Sequence, residues 1–192
     1  MIQETYYGVM ENYLPYHFLD DIIKRAFQEK ELVGKVGISD RDKKLRDSRI
    51  VWLEDKWIFE YVTNLFSQIN KNLGWNFSLI GPEPAQFTIY REGHFYGWHQ
   101  DIRHSIDTDM TRKISMVIPL SDSSDYEGGD LEFYDSLIKP SETKKNAIVT
   151  DERFRQKGNV IVFPSYVFHQ VTKVTKGERL SLVIWCQGES WK

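Results

Sequence analysis

The stretch GWHQD at residues 97–101 places a histidine and an aspartate two positions apart in a segment rich in strand-forming residues. In a β-strand, residues i and i+2 project to the same side, so His99 and Asp101 can converge on one point. An imidazole and a carboxylate together suit a divalent transition metal such as Fe(II), and a second, distant histidine would complete a three-ligand site with open positions. The stretch therefore predicts a metal site on a strand.

Several histidines could supply the third ligand. His169 follows the apolar strand predicted at 159–163, which Pro164 ends, and this order presents an imidazole at the mouth of a sheet. His94 and His104 flank the first motif and are rival ligands, although neither has a carboxylate two residues further on. For that reason both rank below His99 as ligands. A lone histidine at the place of His169 is more often a structural hydrogen-bonding residue, so the spacing alone leaves the third ligand open.

Length and composition predict one globular domain. At 192 residues the chain can bury a substantial core. Its hydrophobic share of 41%, charged share of 28% and net charge of -3 are ordinary for this class. We predict a single domain over residues 1–192, in which residues 1–74 form a helical support and residues 75–187 form the core.

The composition also limits the partners and the location. The chain has no general basic excess, and no apolar run approaches the length of a membrane span, so we predict neither a nucleic-acid nor a membrane partner. The single Cys186 cannot form an intrachain disulfide, and the start of the chain lacks a signal-like apolar segment. Both features predict a cytoplasmic location.

The first part of the chain has helical periodicity. Apolar residues recur at helical spacing over 16–28 and again over 55–73, where Gly74 follows as expected at a helix end. A short strand is predicted at 50–53. The polar, aperiodic segment 34–49 is either a solvated surface loop or a mobile loop that closes over a substrate.

Beyond Gly74 the pattern changes to short strands separated by turns. The predicted strands are Gln86–Tyr90, Gly97–Asp101, Lys113–Leu120, Asp130–Tyr134, Ala147–Thr150, Asn159–Phe163, His169–Val174 and Arg179–Cys186. Eight strands without intervening helices indicate a sandwich or a jelly roll, and two helices before them make the fold class α+β.

Arg179 begins the last predicted strand, ten positions after His169. Alternation places it on one face with Ser181, Val183 and Trp185. That face is either half-exposed to water or turned inward, where the forked guanidinium could hold a carboxylate. Alternation alone does not choose, but a His-x-Asp pair, a distant histidine and a later arginine are together far more specific than any one of them.

With these residues in place, the chain resembles the Fe(II)/2-oxoglutarate-dependent dioxygenases of the prolyl 4-hydroxylase-like family. The likeness runs from about Trp75 to Trp185 and is strongest in QFTIYREGHFYGWHQD (86–101), YEGGDLEFYD (126–135) and GNVIVFPSYVFHQVTKVTKGERLSLVIW (158–185). The resemblance implies a double-stranded β-helix, or jelly roll, of eight strands preceded by two supporting helices. Its two four-stranded sheets would face each other, with the iron at one open end.

The resemblance also implies roles for individual residues. His99, Asp101 and His169 would be the iron ligands. Arg179 would bind the far carboxylate of 2-oxoglutarate, with help from the Tyr90 hydroxyl. The implied cofactor is Fe(II), the cosubstrates are 2-oxoglutarate and O2, and ascorbate is a further candidate.

Three further positions match residues that line the peptide-substrate groove of prolyl hydroxylases, namely Tyr96, Arg112 and Trp185. Without the family, Tyr96 and Trp185 could equally be packing residues and Arg112 a surface charge. The implied reaction is hydroxylation of an unactivated C–H bond, with release of succinate and CO2. The expected substrate is a prolyl residue of a peptide or protein, acted on by a monomer or weak oligomer.

The chain departs from the family pattern at two positions, and a third position bears on a different branch. Leu131 stands where relatives often have a threonine that touches 2-oxoglutarate, and Gln187 stands where they often have a histidine. These changes leave the metal ligands intact and weaken the case for proline. Trp185 occupies the place of a second arginine that is usual in nucleic-acid demethylases, which counts against alkylated bases as substrates.

Other functions stay open at this point. The same chemistry could act on another side chain or on a free small molecule. The chain could also be a non-catalytic jelly-roll binding module, although such a module has no need of all four polar site residues. A zinc hydrolase would need a general base, and the chain lacks a His-Glu-x-x-His motif.

Overall fold

Two antiparallel sheets pack face to face, with two helices against the outer side of the larger sheet. The computed structural model describes residues 6–35, 45–105, 109–135 and 147–190. Its helices are α1 (Tyr16–Ala26) and α2 (Lys56–Asn72), and one 3₁₀ turn spans Glu152–Arg155. Neither α1 nor α2 combines the length and apolar character that a membrane span requires. The strands are β1 (Gly8–Met10), β2 (Leu32–Val33), β3 (Arg46–Asp47), β4 (Arg49–Leu53), β5 (Gly81–Pro82), β6 (Ala85–Tyr90), β7 (Phe95–His99), β8 (His104–Ser105), β9 (Met110–Pro119), β10 (Tyr126–Gly128), β11 (Leu131–Tyr134), β12 (Ile148–Val149), β13 (Val160–Pro164), β14 (His169–Val171), β15 (Val174–Gly177) and β16 (Arg179–Glu189).

The larger sheet has the order β1-β13-β9-β16-β6-β4-β2, with β5 paired to β16 and β8 paired to β9. The smaller sheet has the order β12-β11-β14-β7-β3, and β10 pairs separately with β15. Each of the eight predicted strands has a counterpart. Four of them (β6, β9, β13 and β16) lie in the larger sheet and four (β7, β11, β12 and β14) in the smaller one. This is a jelly-roll arrangement.

Alternation along β16 explains why both faces of the larger sheet are buried. Leu182 and Ile184 pack with the apolar stripes of α1 and α2, which include Ile22, Val62 and Phe66. Complete burial of one such side chain contributes about 1.5–3 kcal/mol to stability, so this layer holds the helices firmly on the sheet. The residues that alternate with Leu182 and Ile184 point to the opposite side, into the space between the two sheets.

The predicted ends of the helical half are close to the observed ones. Helix α2 begins and ends within one residue of the prediction, and Gly74 has a φ of 71°, which a glycine at the helix end adopts without strain. The prediction of a polar loop over 34–49 is wrong for its last part. Residues 46–47 form β3 and residue 49 begins β4. Residues 36–44 lie outside the described residues, so a surface loop and a closing loop both stay open there.

The loop prediction failed at β3 because the partner strand is distant in sequence. Arg46 pairs with Tyr96, and Asp47 pairs with Phe95. Local propensity carries no information about such a partner, and a polar two-residue strand has no apolar alternation to reveal it.

Candidate active site

The two histidines are brought together by strand pairing. His99 ends β7 and His169 begins β14, and the two residues lie directly opposite each other in the ladder. Their ring centroids are 4.1 Å apart. Both side chains are buried, because they project from the smaller sheet into the space between the sheets.

The backbone conformation that directs Asp101 to the same point differs from the predicted one. Strand β7 ends at His99, so the expectation of a strand through Asp101 is wrong, and simple alternation does not aim the carboxylate. Instead, the backbone N–H groups of Asp101 and Ile102 both donate to the carbonyl oxygen of Ser165, each at 2.9 Å. The chain therefore turns at this point, and the turn directs Asp101 toward the two imidazoles.

The three side chains form a compact donor set. Nε2 of His99 lies 3.5 Å from Oδ1 of Asp101, and Nε2 of His169 lies 3.5 Å from Oδ2. One donor atom from each residue lies within 4.8 Å of those of the other two. In the part of the chain that the structure describes, this is the one such group of three.

Backbone carbonyl groups set the tautomers of both histidines. Nδ1 of His99 lies 2.8 Å from the Gly97 oxygen, and Nδ1 of His169 lies 3.0 Å from the Val167 oxygen. Because a carbonyl oxygen only accepts, Nδ1 of each ring carries a proton, so in the neutral ring the lone pair is on Nε2. Two imidazoles and one carboxylate, aimed at one point, fit a divalent transition metal.

Electrostatics favours the ionisation states that a metal requires. Burial alone would raise the pKa of Asp101, but the imidazoles of His169 and His99 hold that pKa well below its usual range. Burial, together with the neighbouring His99, lowers the pKa of His169 to about 4. The carboxylate of Asp101 and the neutral imidazole of His169 are the forms that bind metal.

Two serines that the sequence pattern does not single out support the carboxylate. Ser115 Oγ donates to Asp101 Oδ2 at 2.8 Å and lies 3.0 Å from Ser165 Oγ. Both serines are fully buried. Their positions on β9 and in the turn after β13 carry no sequence signal of their own, because a buried serine in a strand looks like any small polar residue.

Arg179 points into the space between the sheets and not into water. It is 2% exposed and lies opposite Tyr90 in the β16–β6 ladder, with its Cζ 5.3 Å from the Tyr90 ring centroid. Its Nη1 donates to Ser181 Oγ at 3.1 Å, and no carboxylate of the described residues pairs with it. A buried cation without a counter-ion is costly, so this geometry indicates an anionic ligand.

Gly129 makes room for this arginine. A Cβ added there would lie 3.0 Å from Arg179 Cδ and 2.8 Å from Val174 Cγ2, and the residue has a φ of 62°. A side chain at this position would therefore clash with the stem of Arg179 and would also be strained.

One cavity unites most of the predicted residues. Its lining includes seven of the eight site residues that the sequence singled out: Tyr90, Tyr96, His99, Asp101, His169, Arg179 and Trp185.

Three aromatic residues of this lining carry polar groups. Trp185 is buried and its Nε1 has no hydrogen-bond partner. Burial raises the pKa of the Tyr90 and Tyr96 hydroxyls, so both remain protonated donors.

Arg112 is the exception, because it lies behind Trp185. Its Nε and Nη2 donate to the two carboxylate oxygens of Glu83 at 2.7 and 2.6 Å, and its Cζ lies 3.8 Å from the Trp185 ring centroid. Gln187 Nε2 also donates to Glu83, at 2.6 Å. The alternative of a surface charge at Arg112 is therefore wrong, since the group is buried and ion-paired.

Of the two rival histidines, His94 has a structural role in a turn, and the side chain of His104 is not described. His94 Nδ1 accepts a hydrogen bond from the Arg91 backbone N–H at 3.1 Å and closes the turn before β7. The side chain of His104 lies outside the described part of the structure. His169 is therefore the histidine that the structure places with His99 and Asp101.

Comparison with known proteins agrees with this geometry. The family model of the 2OG-Fe(II) oxygenase superfamily matches residues 85–187. A PKHD-type hydroxylase of Teredinibacter turnerae is 33% identical over 141 residues, which cover 67% of this chain and 56% of the relative. One of Idiomarina loihiensis is 35% identical over 105 residues, covering 54% and 42%. The chain thus spans about half the length of the curated relatives it matches.

Solved structures share the fold at lower identity. A prolyl-4-hydroxylase of Pseudomonas putida has a TM-score of 0.71 and 21% identity, covering 96% of this chain and 94% of its own. A prolyl hydroxylase of Trichoplax adhaerens, in complex with a hypoxia inducible factor peptide fragment, has a TM-score of 0.71 and 18% identity, covering 94% and 83%. The family match spans more than half of the chain, and the chain therefore belongs to the 2OG-Fe(II) oxygenase superfamily.

Proposed function

We propose that this protein is an Fe(II)- and 2-oxoglutarate-dependent dioxygenase that hydroxylates an unactivated C–H bond and releases succinate and CO2. One observation carries the proposal. A buried donor set of two histidines and an aspartate shares a cavity with Arg179, a buried cation that pairs with no carboxylate of the described residues. A metal site and an anion site in one cavity match the two ends of a 2-oxo acid.

In this proposal each residue has a separate task. His99, Asp101 and His169 hold Fe(II), while Arg179 and the Tyr90 hydroxyl hold the far carboxylate of 2-oxoglutarate. A metal held by three side chains keeps positions open for a 2-oxo acid and O2, and it supplies oxidation chemistry that side chains cannot perform. The forked guanidinium restricts the cosubstrate to one orientation, and ascorbate stays a predicted accessory.

The walls of the cavity determine what reaches the metal. Val183 and Leu131 line it from opposite sheets and exclude water, which strengthens the polar contacts inside. Tyr96 and Trp185 complete the lining and are the proposed substrate contacts. Arg112 acts through Trp185 in this proposal, because it stacks on the indole and its hydrogen bonds go to Glu83.

The proposed substrate is a prolyl residue of a peptide or protein. The relatives named PKHD-type hydroxylases and the structural neighbour that holds a peptide fragment support this choice. Leu131 in the wall weakens it, since prolyl hydroxylases often have a polar residue there. Hydroxylation of another side chain or of a free small molecule is the alternative.

The proposal extends to the architecture. The core would be an eight-stranded double-stranded β-helix over residues 75–187, supported by α1 and α2 within residues 1–74. The whole chain, 1–192, would act as one domain, as a monomer or weak oligomer. A cytoplasmic location stays a prediction.

The test is succinate release from 2-oxoglutarate in the presence of Fe(II) and O2, with and without a panel of proline-containing peptides. We expect turnover that peptide stimulates, together with a product heavier by one oxygen atom. His99→Ala is the control, and full succinate production by that variant would contradict the ligand assignment. If the wild type neither takes up metal nor turns over, a non-catalytic binding module becomes the better description.

A further inference from the structure

A second buried arginine, Arg46, lies beside the same cavity and stacks on Tyr96, one of the residues that line it. It is 6% exposed and lies on β3, the edge strand of the smaller sheet. In the ladder Arg46 lies opposite Tyr96, and Tyr96 lies opposite Val171. Directly opposed residues project to the same face of a sheet, and both Tyr96 and Val171 line the cavity. Arg46 therefore lies on the same face of the smaller sheet as these lining residues, on the strand at its edge.

Side-chain and backbone contacts hold the guanidinium of Arg46 in place. Its Nε donates to Ser48 Oγ at 2.8 Å, and its Cζ lies 4.6 Å from the Tyr96 ring centroid. A Cβ added to Gly34 would lie 2.7 Å from Arg46 Nε and 3.0 Å from its Cζ. The backbone at Gly34 thus lies against the guanidinium, and any larger residue there would displace it.

This environment leaves a buried nitrogen of the guanidinium without a partner. Nη2 of Arg46 is buried and has no hydrogen-bond partner, and Arg46 makes no ion pair with a carboxylate of the described residues. Ser48 supplies a neutral acceptor and Tyr96 a ring face, so neither neutralises the charge. An unpaired buried guanidinium is costly unless a ligand supplies the missing anion.

The charges of the cavity indicate where that anion comes from. The argument rests on the function proposed above. A bound Fe(II) brings two positive charges, and Arg46 and Arg179 bring one each. Asp101 and the two carboxylates of 2-oxoglutarate bring three negative charges. One positive charge remains, and it has no counter-ion among the described residues that line the cavity.

We propose that Arg46 binds a carboxylate of the primary substrate. The substrate class is thereby narrowed to molecules with an anionic group close to the hydroxylated carbon. Two sources have this chemistry, namely an acidic side chain next to the target residue of a peptide, and the free carboxylate of a C-terminal or free amino acid. A neutral, amidated peptide is bound more weakly because it leaves the Arg46 charge unpaired.

Binding can be measured without turnover. The full chain is loaded with Fe(II) and 2-oxoglutarate under anaerobic conditions, and affinities are measured by titration calorimetry. The ligands are a neutral amidated proline peptide, the same peptide with glutamate beside the proline, the same peptide ending in a free prolyl carboxylate, and free proline against prolinamide. We expect at least one carboxylate-bearing member to bind about tenfold more tightly than its neutral partner.

Variants test whether Arg46 causes the preference for carboxylate-bearing ligands. Arg46→Met removes the charge and should abolish the preference, while Arg46→Lys keeps the charge without the fork and should retain part of it. Arg49→Met is the matched control, because Arg49 is a half-buried neighbour that pairs with Asp47 at 3.8 Å. It should keep the wild-type preference. A melting temperature for each variant shows that it is folded.

The outcomes separate the two proposals. If the wild type binds no metal with 2-oxoglutarate, the proposed function fails before any peptide is added, and this inference fails with it. If that complex forms but the wild type binds neutral and carboxylate-bearing ligands equally, only the role of Arg46 is overturned. If Arg46→Met keeps the full preference for carboxylate-bearing ligands, the role of Arg46 is overturned as well. Should Arg46→Met not fold, the wild-type ligand pairs and Arg46→Lys decide the question.

Discussion

The ring of Tyr96 lies flat against the imidazole of His99, with centroids 3.5 Å apart and planes inclined by 10°. The hydrogen bond from His99 Nδ1 to the Gly97 oxygen holds the same imidazole along its edge. The two contacts restrict rotation of the ring, so Nε2 points toward Asp101 before any metal arrives. Preorganisation of this kind raises metal affinity because less side-chain freedom is lost on binding.

Removal of the Tyr96 ring should therefore weaken metal binding. We expect Tyr96→Ala to lower the affinity for Fe(II) or Mn(II) about tenfold, which is the lower end of the range for residues that orient a ligand. Tyr96→Phe keeps the ring and should bind metal like the wild type. Equilibrium dialysis of both variants checks this, and equal affinity of Tyr96→Ala and the wild type would show that the stack has no such role.

Arg179 should control the requirement for 2-oxoglutarate. Arg179→Ala removes the buried cation and should raise the KM for 2-oxoglutarate by about one to two orders of magnitude, since a charge-assisted hydrogen-bonded pair contributes about 1.5–3 kcal/mol. Arg179→Lys keeps the charge and should raise KM less. Succinate formation at varied 2-oxoglutarate measures both constants. An unchanged KM in Arg179→Ala would place the anchor elsewhere.

The buried ion pair behind Trp185 should contribute to stability. Glu83→Gln leaves the Arg112 guanidinium without a counter-ion, and the free energy of unfolding should fall by about 3 kcal/mol. Urea denaturation measures the change. Glu127→Gln is the control, because its pair with Lys176 is exposed on both sides and should contribute little. A loss in Glu83→Gln as small as in the control would contradict a structural role for the pair.

Stability of the metal-free protein should fall in mild acid because of His169. Burial lowers the pKa of His169 from an ordinary 6.5 to about 4. Between these values the unfolded chain binds a proton that the folded chain does not, so the contribution is complete above pH 6.5 and is lost as pH falls toward 4. The full effect is about 3 kcal/mol. Chemical denaturation at several pH values measures it.

Two variants test the assignment of this acid sensitivity. His169→Gln cannot bind the proton and should show a flatter dependence of unfolding free energy on pH between 6.5 and 4. His17→Gln alters an exposed histidine of α1 and should follow the wild type. A steep dependence that persists in His169→Gln would mean that another group is responsible.

Cys186 should be almost inert in the folded protein. The residue is 2% exposed, and burial raises the pKa of its thiol to about 12 from an ordinary 9.0. Because the thiolate is the reactive form, alkylation at pH 8 should be about a thousandfold slower in the native state than in urea. Mass spectrometry of the chain after timed alkylation follows the reaction. Fast modification without denaturant would contradict the burial.

Much of the candidate site follows from residue type and spacing. Arg179 was placed on one face with Ser181, Val183 and Trp185 by alternation, and all four line the cavity. Alternation is a local property of an extended chain, so it survives folding unchanged. Whether that face is turned inward depends on the smaller sheet, which packs against it only in the tertiary structure.

The contacts that orient the site residues cannot be predicted from the sequence either, because they too form only in the tertiary structure. Asp101 depends on Ser165, and Arg112 depends on Glu83, with both partners far away in sequence. The sequence pattern predicts a polar loop at Arg46, because its strand partner, Tyr96, is fifty residues further along the chain. A side chain that pairs over such a distance leaves no periodic pattern near itself.

The sequence by itself determined the two helices, the strand-rich core, the histidines and aspartate of the donor set and the arginine that faces them. These features rest on local periodicity and on the chemistry of individual side chains, which every copy of the chain carries before it folds. Only the tertiary structure decided which face of β16 is inside, how Asp101 is aimed, and that Arg46 is buried beside Tyr96 without a counter-ion. Burial and pairing are properties of the folded chain, because they arise when segments that are distant in sequence exclude water from each other.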